Sequence, residues 1–437
     1  MIEKKKLILG LGKTGDSCIK FFKKNNINFK IFDTRENHSE HYVDSINLEP
    51  ELLRLSTYED SYLDDIEEAI ISPGIDRKNK IINDLHSRKI KIITDIDLFK
   101  RYSNVPIISV TGTNGKTTVV SMMEHLLNLS NYKCIACGNN GIPPLSILDN
   151  NYDYIILELS SYQLEYMNNF TSNISLITNI NHDHFERHKN FKEYFSTKKK
   201  IFLNSNYALC NIALKEKMND VPNLYVYGID DDSRKLIING RNDDSLLFNS
   251  ADLFIDKYKI KYRGIHNLNN FLAVLSVSDL LKININDAIK HLSSYSFLSH
   301  RIELIKLHNN ISWYNDSKST NSSSTQAALE YIDKNIILII GGSKKNMNYQ
   351  NLSELINNKV KLIIFIGENK RYIDEQLNVK VETIDAESMY DAIKISCQFS
   401  EPSDSVLLSP ASPSFDMFKD YSERGAVFTK AVNDLVK

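Results

Sequence analysis

The chain has 437 residues, of which 42% are hydrophobic and 25% charged, and its formal net charge is −2. This length exceeds what one hydrophobic core holds and predicts two to four domains. The near-neutral charge offers no basic surface for nucleic acid, and no apolar run approaches the roughly 18 residues of a membrane-spanning helix. Five cysteines, a sparse and odd set, are typical of reduced thiols in a cytosol. We therefore expect a cytoplasmic protein that binds neither nucleic acid nor membrane.

The first predicted strand covers residues 7–9 and runs into a glycine-rich turn at 10–15, followed by apolar positions at helical spacing. The lysines before this strand could suggest a signal peptide, but the apolar stretch breaks at Gly10 and no cleavage site follows, which favours a buried strand. The turn matches G-x-G-x-x-G, and Asp33 follows a second strand predicted over 29–32. Taken alone, this arrangement is typical of a dinucleotide site, although such a loop holds any pyrophosphate group.

The clearest motif is TGTNGKTT at residues 111–118, between a strand predicted over 107–110 and an amphipathic helix. Backbone N–H groups at the start of a helix form an anion cradle, which here predicts ATP binding, with Lys116 on the β- and γ-phosphates and Thr117 on magnesium. An ordinary phosphate loop has glycine at position 110, where this chain has valine, so the loop is a shorter variant. The residues predicted to bind ATP in this loop are Gly112, Thr113, Asn114, Gly115, Lys116, Thr117 and Thr118.

Two further strands, predicted over 154–157 and 176–180, end at polar residues. Glu158 follows the first strand, and the second runs into a histidine-rich stretch with His182, His184 and His188. A carboxylate at the carboxyl end of a parallel strand projects into the crevice where ligands bind, which suggests a metal site. The clustered histidines leave zinc open as an alternative, and the C-x-x-C of residues 134–137 leaves redox or metal chemistry open beside simple burial.

Lys198 falls in the middle of an apolar stripe at helical spacing, formed by residues 191, 194, 195, 201 and 202. A lysine on a core-facing stripe is costly to bury when charged, and desolvation lowers its pKa and makes the amine nucleophilic. The alternative is a lysine whose stem is buried while its amine reaches solvent, within the Lys-Lys-Lys run of residues 198–200.

Strands also predicted over 336–340, 362–366 and 406–408 alternate with helical patterns, which indicates parallel α/β sheets built from βαβ units. We expect three α/β domains: a Rossmann-like domain over 1–94, a central domain with a P-loop ATPase-type parallel sheet over 95–298, and a Rossmann-like domain over 299–437. The polar stretch 230–249 is interpreted as an inserted hairpin or surface loop.

The TGTNGKTT loop resembles the ATP loop of the Mur ligases and of their relatives that add glutamates to folate. The stretch NHDHFERH at 181–188 resembles the D-H-x-D-x-H segment of Mur ligases, with Glu186 where aspartate is usual. This resemblance implies two Mg²⁺ ions and a carbamylated lysine. The metal site would then comprise Thr117, Glu158, His184 and Lys198 as the carbamate.

The two ends of the chain resemble the D-glutamate-adding branch of the family. The N-terminal turn, the stretches Asp-Thr-Arg at 33–35 and Ser-Pro-Gly at 72–74, and the Gly-Asn-x-Gly turn at 138–141 imply a site for the UDP-linked substrate. Its residues would be Gly12, Lys13, Thr14, Asp33, Thr34, Arg35, Gly74, Asn139 and Ser160.

Motifs of the C-terminal half resemble the nucleotide and amino-acid contacts of the same branch. Asn270, Arg301 and Asp316 match contacts to ATP, and Lys318 matches a contact to the transferred phosphoryl group. Pro413 and the loop at 341–348 depart from the usual pattern of that branch. The residues implied to hold D-glutamate are Thr320, Lys345, Ser414, Phe415 and Tyr421.

The resemblance implies an ATP-dependent amide ligase that joins D-glutamate to UDP-N-acetylmuramoyl-L-alanine through an acyl phosphate, in the cytoplasmic part of peptidoglycan synthesis. Its catalytic residues would be Lys116, Lys198, His184 and Lys318, its partners small molecules, and its state a monomer. An L-alanine-adding ligase typically has histidine where Asn114 stands, and a folate-glutamate ligase lacks the N-terminal UDP domain. A diaminopimelate- or lysine-adding ligase would show a D-N-P-R signature, which this sequence lacks. A P-loop regulator or dinucleotide-binding protein is the alternative from another class.

Overall fold

The computed structural model describes residues 4–36, 46, 48–167, 170–184, 187–229, 236–240, 246–248, 265–295, 299–333, 335–344 and 347–437. Glu186 and Lys345, both named in the sequence patterns, lie outside these ranges, as does most of the stretch 230–249. The chain divides into two compact units, of which the first holds two sheets and the second holds one. No helix among the described residues is long and apolar enough to cross a bilayer.

The strands fall into three sheets along the chain. They are β1 Lys5–Leu9, β2 Phe29–Asp33, β3 Leu53–Leu55, β4 Ile66–Ile71, β5 Lys91–Thr94, β6 Ile107–Thr111, β7 Cys134–Gly138, β8 Tyr154–Glu158, β9 Ser172–Ile177, β10 Ser205–Asn211, β11 Leu224–Ile229, β12 Leu236–Gly240, β13 Leu246–Phe248, β14 Glu303–His308, β15 Ile311–Asn315, β16 Ile336–Gly341, β17 Val360–Ile366, β18 Glu382–Asp385 and β19 Ser405–Leu408.

Helices connect most of the parallel strands. They are α1 Lys13–Lys24, α2 Lys80–Ser87, α3 Asp95–Tyr102, α4 Lys116–Leu129, α5 Ser161–Tyr166, α6 Phe191–Lys199, α7 Ile265–Leu280, α8 Ile285–Ser293, α9 Ser322–Tyr331, α10 Ser353–Lys359, α11 Lys370–Leu377, α12 Met389–Phe399 and α13 Tyr421–Leu435.

The first sheet has the order β3-β2-β1-β4-β5 and is parallel throughout. The chain proceeds from β1 to one side and later crosses to the other, so the strand order reverses between β1 and β4. In open parallel sheets, ligands bind in the crevice at the carboxyl ends of the strands that flank such a reversal. The glycine turn after β1 and the Ser-Pro-Gly turn after β4 both lie at this edge.

The second sheet has the order β13-β12-β11-β10-β9-β6-β8-β7. The six strands β6 to β11 are all parallel to one another. Strand β12 is antiparallel to β11 and to β13, which agrees with the hairpin predicted within the polar stretch 230–249. Central β6 lies between β9 and β8, so the phosphate loop, Thr178 and Glu158 emerge at one edge of the sheet.

One predicted strand was too long. β9 ends at Ile177 rather than at residue 180. The backbone N–H of Thr178 still donates to the Thr111 carbonyl. From this point, however, the side chains of Thr178 and Asn179 bond to Asn114 of the phosphate loop, and the chain leaves the sheet. The apolar pattern alone does not show where the polar side chains at the end of a strand form hydrogen bonds with a neighbouring loop.

The third sheet has the order β14-β15-β19-β16-β17-β18, and β15 to β18 are parallel. The edge strand β14 is antiparallel to β15, which the expectation of purely parallel sheets missed. Asn309 and Asn310 join these two strands with φ of 51° and 60°. A two-residue turn with positive φ at both positions matches the twist of an antiparallel hairpin, and asparagine adopts it readily.

Candidate functional site

The phosphate loop begins at the end of β6, where two glycines allow a conformation that other residues cannot adopt. Gly112 has a φ of +152°, and a Cβ there would lie 1.9 Å from Thr178 Oγ1. Gly115 has a φ of +82°, and a Cβ there would lie 2.5 Å from Asn270 Oδ1. Both glycines are therefore required, and Asn270, predicted to contact the nucleotide, packs directly against this loop.

Side chains from the neighbouring strand and helix hold the loop in place. Asn179 Oδ1 accepts a hydrogen bond from the backbone N–H of Asn114 at 2.9 Å, and Thr178 Oγ1 donates to the Asn114 carbonyl at 2.7 Å. Thr113 Oγ1 lies 3.0 Å from the Tyr194 hydroxyl and accepts from a backbone N–H at 2.9 Å. The sequence pattern identified the loop but not these three supporting residues, since asparagine, threonine and tyrosine there carry no motif of their own.

Two lysine amines converge on one backbone carbonyl of the loop. Lys116 Nζ and Lys198 Nζ each donate to the Gly112 carbonyl oxygen at 2.8 Å. Lys198 is 1% exposed, as its place in the apolar stripe predicted, and its amine lies 4.8 Å from the centre of the Tyr194 ring. Burial, followed by the charge of Lys116, holds the pKa of Lys198 well below its ordinary value. A buried amine of lowered pKa is a nucleophile poised for modification.

Glu158 ends β8 as predicted and is almost fully buried. Its Oε1 accepts a hydrogen bond from Asn139 Nδ2 at 2.8 Å, which brings a predicted substrate residue to a predicted metal ligand. Its Oε2 is buried without a hydrogen-bond partner among the described residues. A buried carboxylate oxygen without a partner is costly, and a bound cation would remove that cost.

The three histidines do not form a joint metal site. His184 has a φ of +60°, and its Nδ1 lies 3.4 Å from the Tyr162 hydroxyl. His188 contacts Ser161 Oγ at 3.1 Å, and burial lowers its pKa to about 4. His182 stacks on the ring of Phe191. Among the residues that the structure describes, no group of three or more His, Cys, Asp or Glu side chains is arranged to hold a metal ion.

The glycine turn of the first sheet is tightly packed. Gly10 has a φ of +95°, and the Ser72 hydroxyl donates to its carbonyl at 3.2 Å. A Cβ on Gly15 would lie 2.0 Å from the Gly10 carbonyl oxygen, whereas one on Gly12, the N-cap of α1, meets nothing within 4 Å. The turn therefore leaves the start of α1 open, with Lys13 and Thr14 in its first turn.

Asp33 holds this turn through hydrogen bonds to Leu11 and Arg35. Its Oδ2 accepts from the backbone N–H of Leu11 at 2.5 Å, and its Oδ1 accepts from the backbone N–H and Nε of Arg35 at 2.9 and 3.0 Å. Although burial acts in the opposite direction, these hydrogen bonds hold the pKa of Asp33 below its usual range. Because both oxygens have protein donors, the geometry does not favour the ribose contact that a dinucleotide site would need.

The predicted substrate residues of the first and second sheets meet in part. Lys13 Nζ would lie 3.5 Å from a Cβ on Gly141, so the lysine reaches the Gly-Asn-x-Gly turn. Thr34 follows β2, and Gly74 lies exposed in the turn after β4. Ser160 caps α5, where its hydroxyl accepts from the Gln163 backbone in a capping box.

In the third sheet, the predicted residues lie in loops at the carboxyl ends of β15 and β19. Lys318 Nζ lies 5.0 Å from the centre of the Tyr421 ring, and the Thr320 backbone N–H donates to the Lys318 carbonyl at 2.9 Å. Ser414 is buried, whereas Phe415 is 75% exposed.

Asp316 and Arg301 have different surroundings. Asp316 Oδ1 accepts from the Ile302 backbone at 3.2 Å, and Oδ2 accepts from the Ser319 and Ser409 hydroxyls at 2.5 and 2.7 Å. Burial raises the pKa of Asp316 to about 6. Arg301 Nε is buried without a hydrogen-bond partner among the described residues, which leaves a donor for a ligand.

Arg424 connects two loops of the third sheet, and the sequence analysis assigned it no role. Its side chain is 1% exposed and donates to the Ser412 carbonyl at 2.9 Å and to the Ser317 carbonyl at 2.7 Å. Burial lowers its pKa to about 10. The arginine thereby joins the loop that carries Lys318 to the loop that carries Ser414.

Curated relatives match this chain along nearly its whole length. It is 36% identical over 440 residues to the UDP-N-acetylmuramoylalanine--D-glutamate ligase of Buchnera aphidicola subsp. Acyrthosiphon pisum (strain Tuc7), covering 99% of the chain and 98% of the relative. It is 34% identical over 438 residues to the ligase of the same name from Coxiella burnetii (strain Dugway 5J108-111), covering 98% of each. The chain belongs to the Mur ligase family.

Family models divide this Mur ligase into three segments. Residues 4–94 match the Mur ligase MurD-like N-terminal domain, residues 110–278 the Mur ligase middle domain, and residues 300–412 the Mur ligase glutamate ligase domain. The resemblance stated from the sequence motifs is thereby confirmed at the level of the family.

Solved structures share the fold of this Mur ligase at low sequence identity. A pseudomurein peptide ligase type C from Methanothermus fervidus is 17% identical with a TM-score of 0.62, covering 99% of this chain and all (100%) of that one. UDP-N-acetylmuramate-alanine ligase MurC from Thermotoga maritima is also 17% identical, with a TM-score of 0.58 over 98% of this chain and 99% of its own. Both confirm the expected three-domain α/β architecture.

This Mur ligase departs from the family pattern at Pro413, whose backbone carbonyl lies at a close contact between two loops. Its carbonyl accepts from the Ser343 backbone N–H at 2.9 Å, and a Cβ on Gly342 would lie 2.1 Å from the same oxygen. The loop after β16 therefore packs closely on the loop that carries Ser414. Lys345, the predicted D-glutamate contact in this loop, lies outside the described residues.

Proposed function

We propose that this Mur ligase joins D-glutamate to UDP-N-acetylmuramoyl-L-alanine and converts ATP to ADP and phosphate. The observation that carries the proposal is the match at 34–36% identity over nearly the whole chain to ligases of that name. The MurD-like N-terminal segment supports the same branch.

The phosphate loop is the proposed ATP site. The backbone N–H groups at the start of α4 and the Lys116 amine supply positive charge at one point of the sheet edge. The Lys116 amine bonds to the Gly112 and Thr113 carbonyls, so ATP would exchange these contacts for phosphate oxygens. Arg301 and Asn270 are proposed contacts to the rest of the nucleotide.

Magnesium is the proposed cation, and the residues present fit it at one point directly, because the buried Glu158 Oε2 has no partner among the described residues. Glu158, His184, Thr117 and a carbamate on Lys198 would hold it. Bound magnesium would neutralise charge on the phosphates.

Carbamylation of Lys198 is proposed because the amine is buried and its pKa is lowered. The neutral nitrogen attacks carbon dioxide, a nitrogen–carbon bond forms, and the proton lost from nitrogen leaves to solvent. The product is an anion, so the carbamate would attract the Lys116 ammonium, which the neutral amine does not.

In the proposed reaction, the substrate carboxylate attacks the γ-phosphorus and ADP leaves, which gives an acyl phosphate. The amine of D-glutamate then attacks the acyl carbon, and phosphate leaves with one of the original carboxylate oxygens. Lys116 and Lys318 would stabilise charge on the transferred group, and no side chain needs to act as a covalent nucleophile. Thr320, Lys345, Ser414, Phe415 and Tyr421 are the proposed D-glutamate contacts.

The UDP-linked end is proposed to bind at the open start of α1. The Gly12 N-cap and Lys13 present positive charge there, and Thr14, Thr34, Arg35 and Gly74 border the same edge. Asn139 is the proposed contact to the muramoyl end. Its side-chain amide bonds to Glu158, which places it beside the proposed metal ligand.

We further propose that the enzyme works as a monomer in the cytoplasm. All five cysteines are free, and four of them are buried, which suits a reducing compartment.

Phosphate release distinguishes the proposal from neighbouring activities of the family. We expect release with UDP-N-acetylmuramoyl-L-alanine and D-glutamate, and not with L-glutamate. Release only with UDP-N-acetylmuramic acid and L-alanine would overturn the choice of branch. A rate of ATP hydrolysis that is the same with and without these acceptors would instead support a P-loop protein without ligase chemistry.

A further inference from the structure

A buried ion pair joins α5 to the histidine-rich stretch after β9, and its arginine also bonds to the loop after β4 of the first sheet. Arg187 Nε and Nη2 donate to Glu165 Oε2 at 2.8 and 2.7 Å, and Nη2 also donates to the Ile75 carbonyl at 2.6 Å. The side chains of Arg187 and Glu165 are 6% and 5% exposed. A pair this well buried keeps its charge only with such geometry, and neither partner is easily removed.

The same carboxylate is bound from the other side by the first sheet. Arg77 Nε lies 3.0 Å from Glu165 Oε1, so each oxygen of Glu165 faces an arginine. The Tyr166 hydroxyl donates to the Ile75 carbonyl at 3.1 Å. The loop after β4, which carries the proposed substrate contact Gly74, is therefore fixed to α5 by contacts that converge on Glu165 and Ile75.

Arg187 also belongs to the turn that sets His184. The backbone N–H groups of Arg187 and His188 donate to the His184 carbonyl at 3.1 and 3.0 Å, and His184 holds its left-handed φ within this turn. The Arg187 guanidinium lies 5.1 Å from the centre of the Tyr162 ring, whose hydroxyl is 3.4 Å from His184 Nδ1. Arg187 thus contacts the His184 carbonyl through its backbone and the Tyr162 ring through its side chain.

We infer that Arg187 is a positioning residue that couples the substrate loop at 72–77 to the turn that orients His184. The coupling to catalysis rests on the proposed function, whereas the physical link between the two segments does not. A non-glycine residue in the left-handed region is strained, so this conformation of His184 persists only when its surroundings impose it. Tightening the 72–77 loop on a UDP-linked substrate would therefore be transmitted to His184 through one guanidinium.

Amide hydrogen exchange of Arg187→Lys tests the link without reference to activity. Lysine keeps the charge but lacks the planar guanidinium with which Arg187 donates twice to Glu165 and once to Ile75. We expect faster exchange in both 72–77 and 182–188, with the rest of the chain unchanged. Tyr162→Phe removes only the hydroxyl near His184 and should affect 182–188 alone. Lys24→Ala breaks another ion pair between the first two sheets' segments, Lys24 with Asp149, and should affect neither.

Kinetics then separate positioning from simple support. We expect Arg187→Lys to lower kcat/KM for UDP-N-acetylmuramoyl-L-alanine roughly tenfold or more, with the KM for ATP changed less than about twofold. Exchange that rises in one segment only, or uniformly along the chain, would overturn the inference. If the wild-type protein showed no ligase activity, the proposed function would be wrong, but the exchange result would still test the link between the two segments.

Discussion

At the scale of single residues, folding changes the chemistry of the Lys198 side chain. Its amine shares the Gly112 carbonyl with Lys116 and lies against an aromatic ring, away from water. The apolar stripe in the sequence predicted its burial, but not the second lysine, because Lys116 comes from a loop 82 positions earlier (198 minus 116). Sequence periodicity describes one helix at a time.

The lowered pKa of Lys198 has a consequence for stability. Between its folded pKa and the ordinary value of 10.5, the unfolded chain binds a proton that the folded chain does not, so stability rises with pH through that window. Lys198→Met should lose this rise and unfold at a higher temperature near neutral pH. The check is thermal unfolding of both proteins at several pH values in buffer free of carbon dioxide. Parallel pH profiles would contradict the assignment.

Glu158 gives a prediction in which activity and stability separate. Gln at this position can still accept from Asn139, and it removes the unpartnered buried charge. We expect Glu158→Gln to keep or raise the unfolding temperature while kcat falls on the order of a hundredfold. Unfolding curves and phosphate release measure the two effects. A variant that loses stability and activity together would indicate a packing role only.

At the scale of elements, the turns after β1 and β6 were recognisable because glycine spacing has a steric cause. Gly10, Gly112 and Gly115 all have positive φ, and neighbouring atoms occupy the space of a Cβ. The end of β9 and the hairpin between β14 and β15 were missed. The end of β9 depends on the polar side chains that bond to the phosphate loop, and the hairpin depends on two asparagines with positive φ. Hydrophobic patterns contain no information on either feature.

The first glycine turn offers a matched pair of substitutions. A methyl group on Gly15 would strike the Gly10 carbonyl, whereas one on Gly12 meets nothing within 4 Å. We expect Gly15→Ala to cost about 2 kcal/mol or more in the free energy of unfolding. Gly12→Ala should leave stability nearly unchanged but raise the KM for the UDP-linked substrate, since the methyl group occupies the approach to the start of α1. Chemical denaturation and steady-state kinetics measure both, and equal effects of the two variants would contradict the proposed approach.

At the scale of the whole molecule, candidate residues in each sheet lie at the carboxyl ends of parallel strands, as open α/β sheets require. The alternation of strands and helices was sufficient to predict that architecture. The polar network that supports the sites was not predicted: Arg187 with Glu165, Asn179 with Asn114, and Arg424 with its two loops. Each joins segments distant in sequence, so no local pattern specifies it.

Transfer of an oxygen atom tests the central claim most directly. UDP-N-acetylmuramoyl-L-alanine labelled with ¹⁸O in its free carboxylate is incubated with enzyme, ATP and D-glutamate, and the released phosphate is analysed by mass spectrometry. An acyl phosphate carries one carboxylate oxygen into phosphate, so we predict phosphate with a single ¹⁸O, formed in step with the D-glutamate adduct. Unlabelled phosphate released at the same rate would contradict the account.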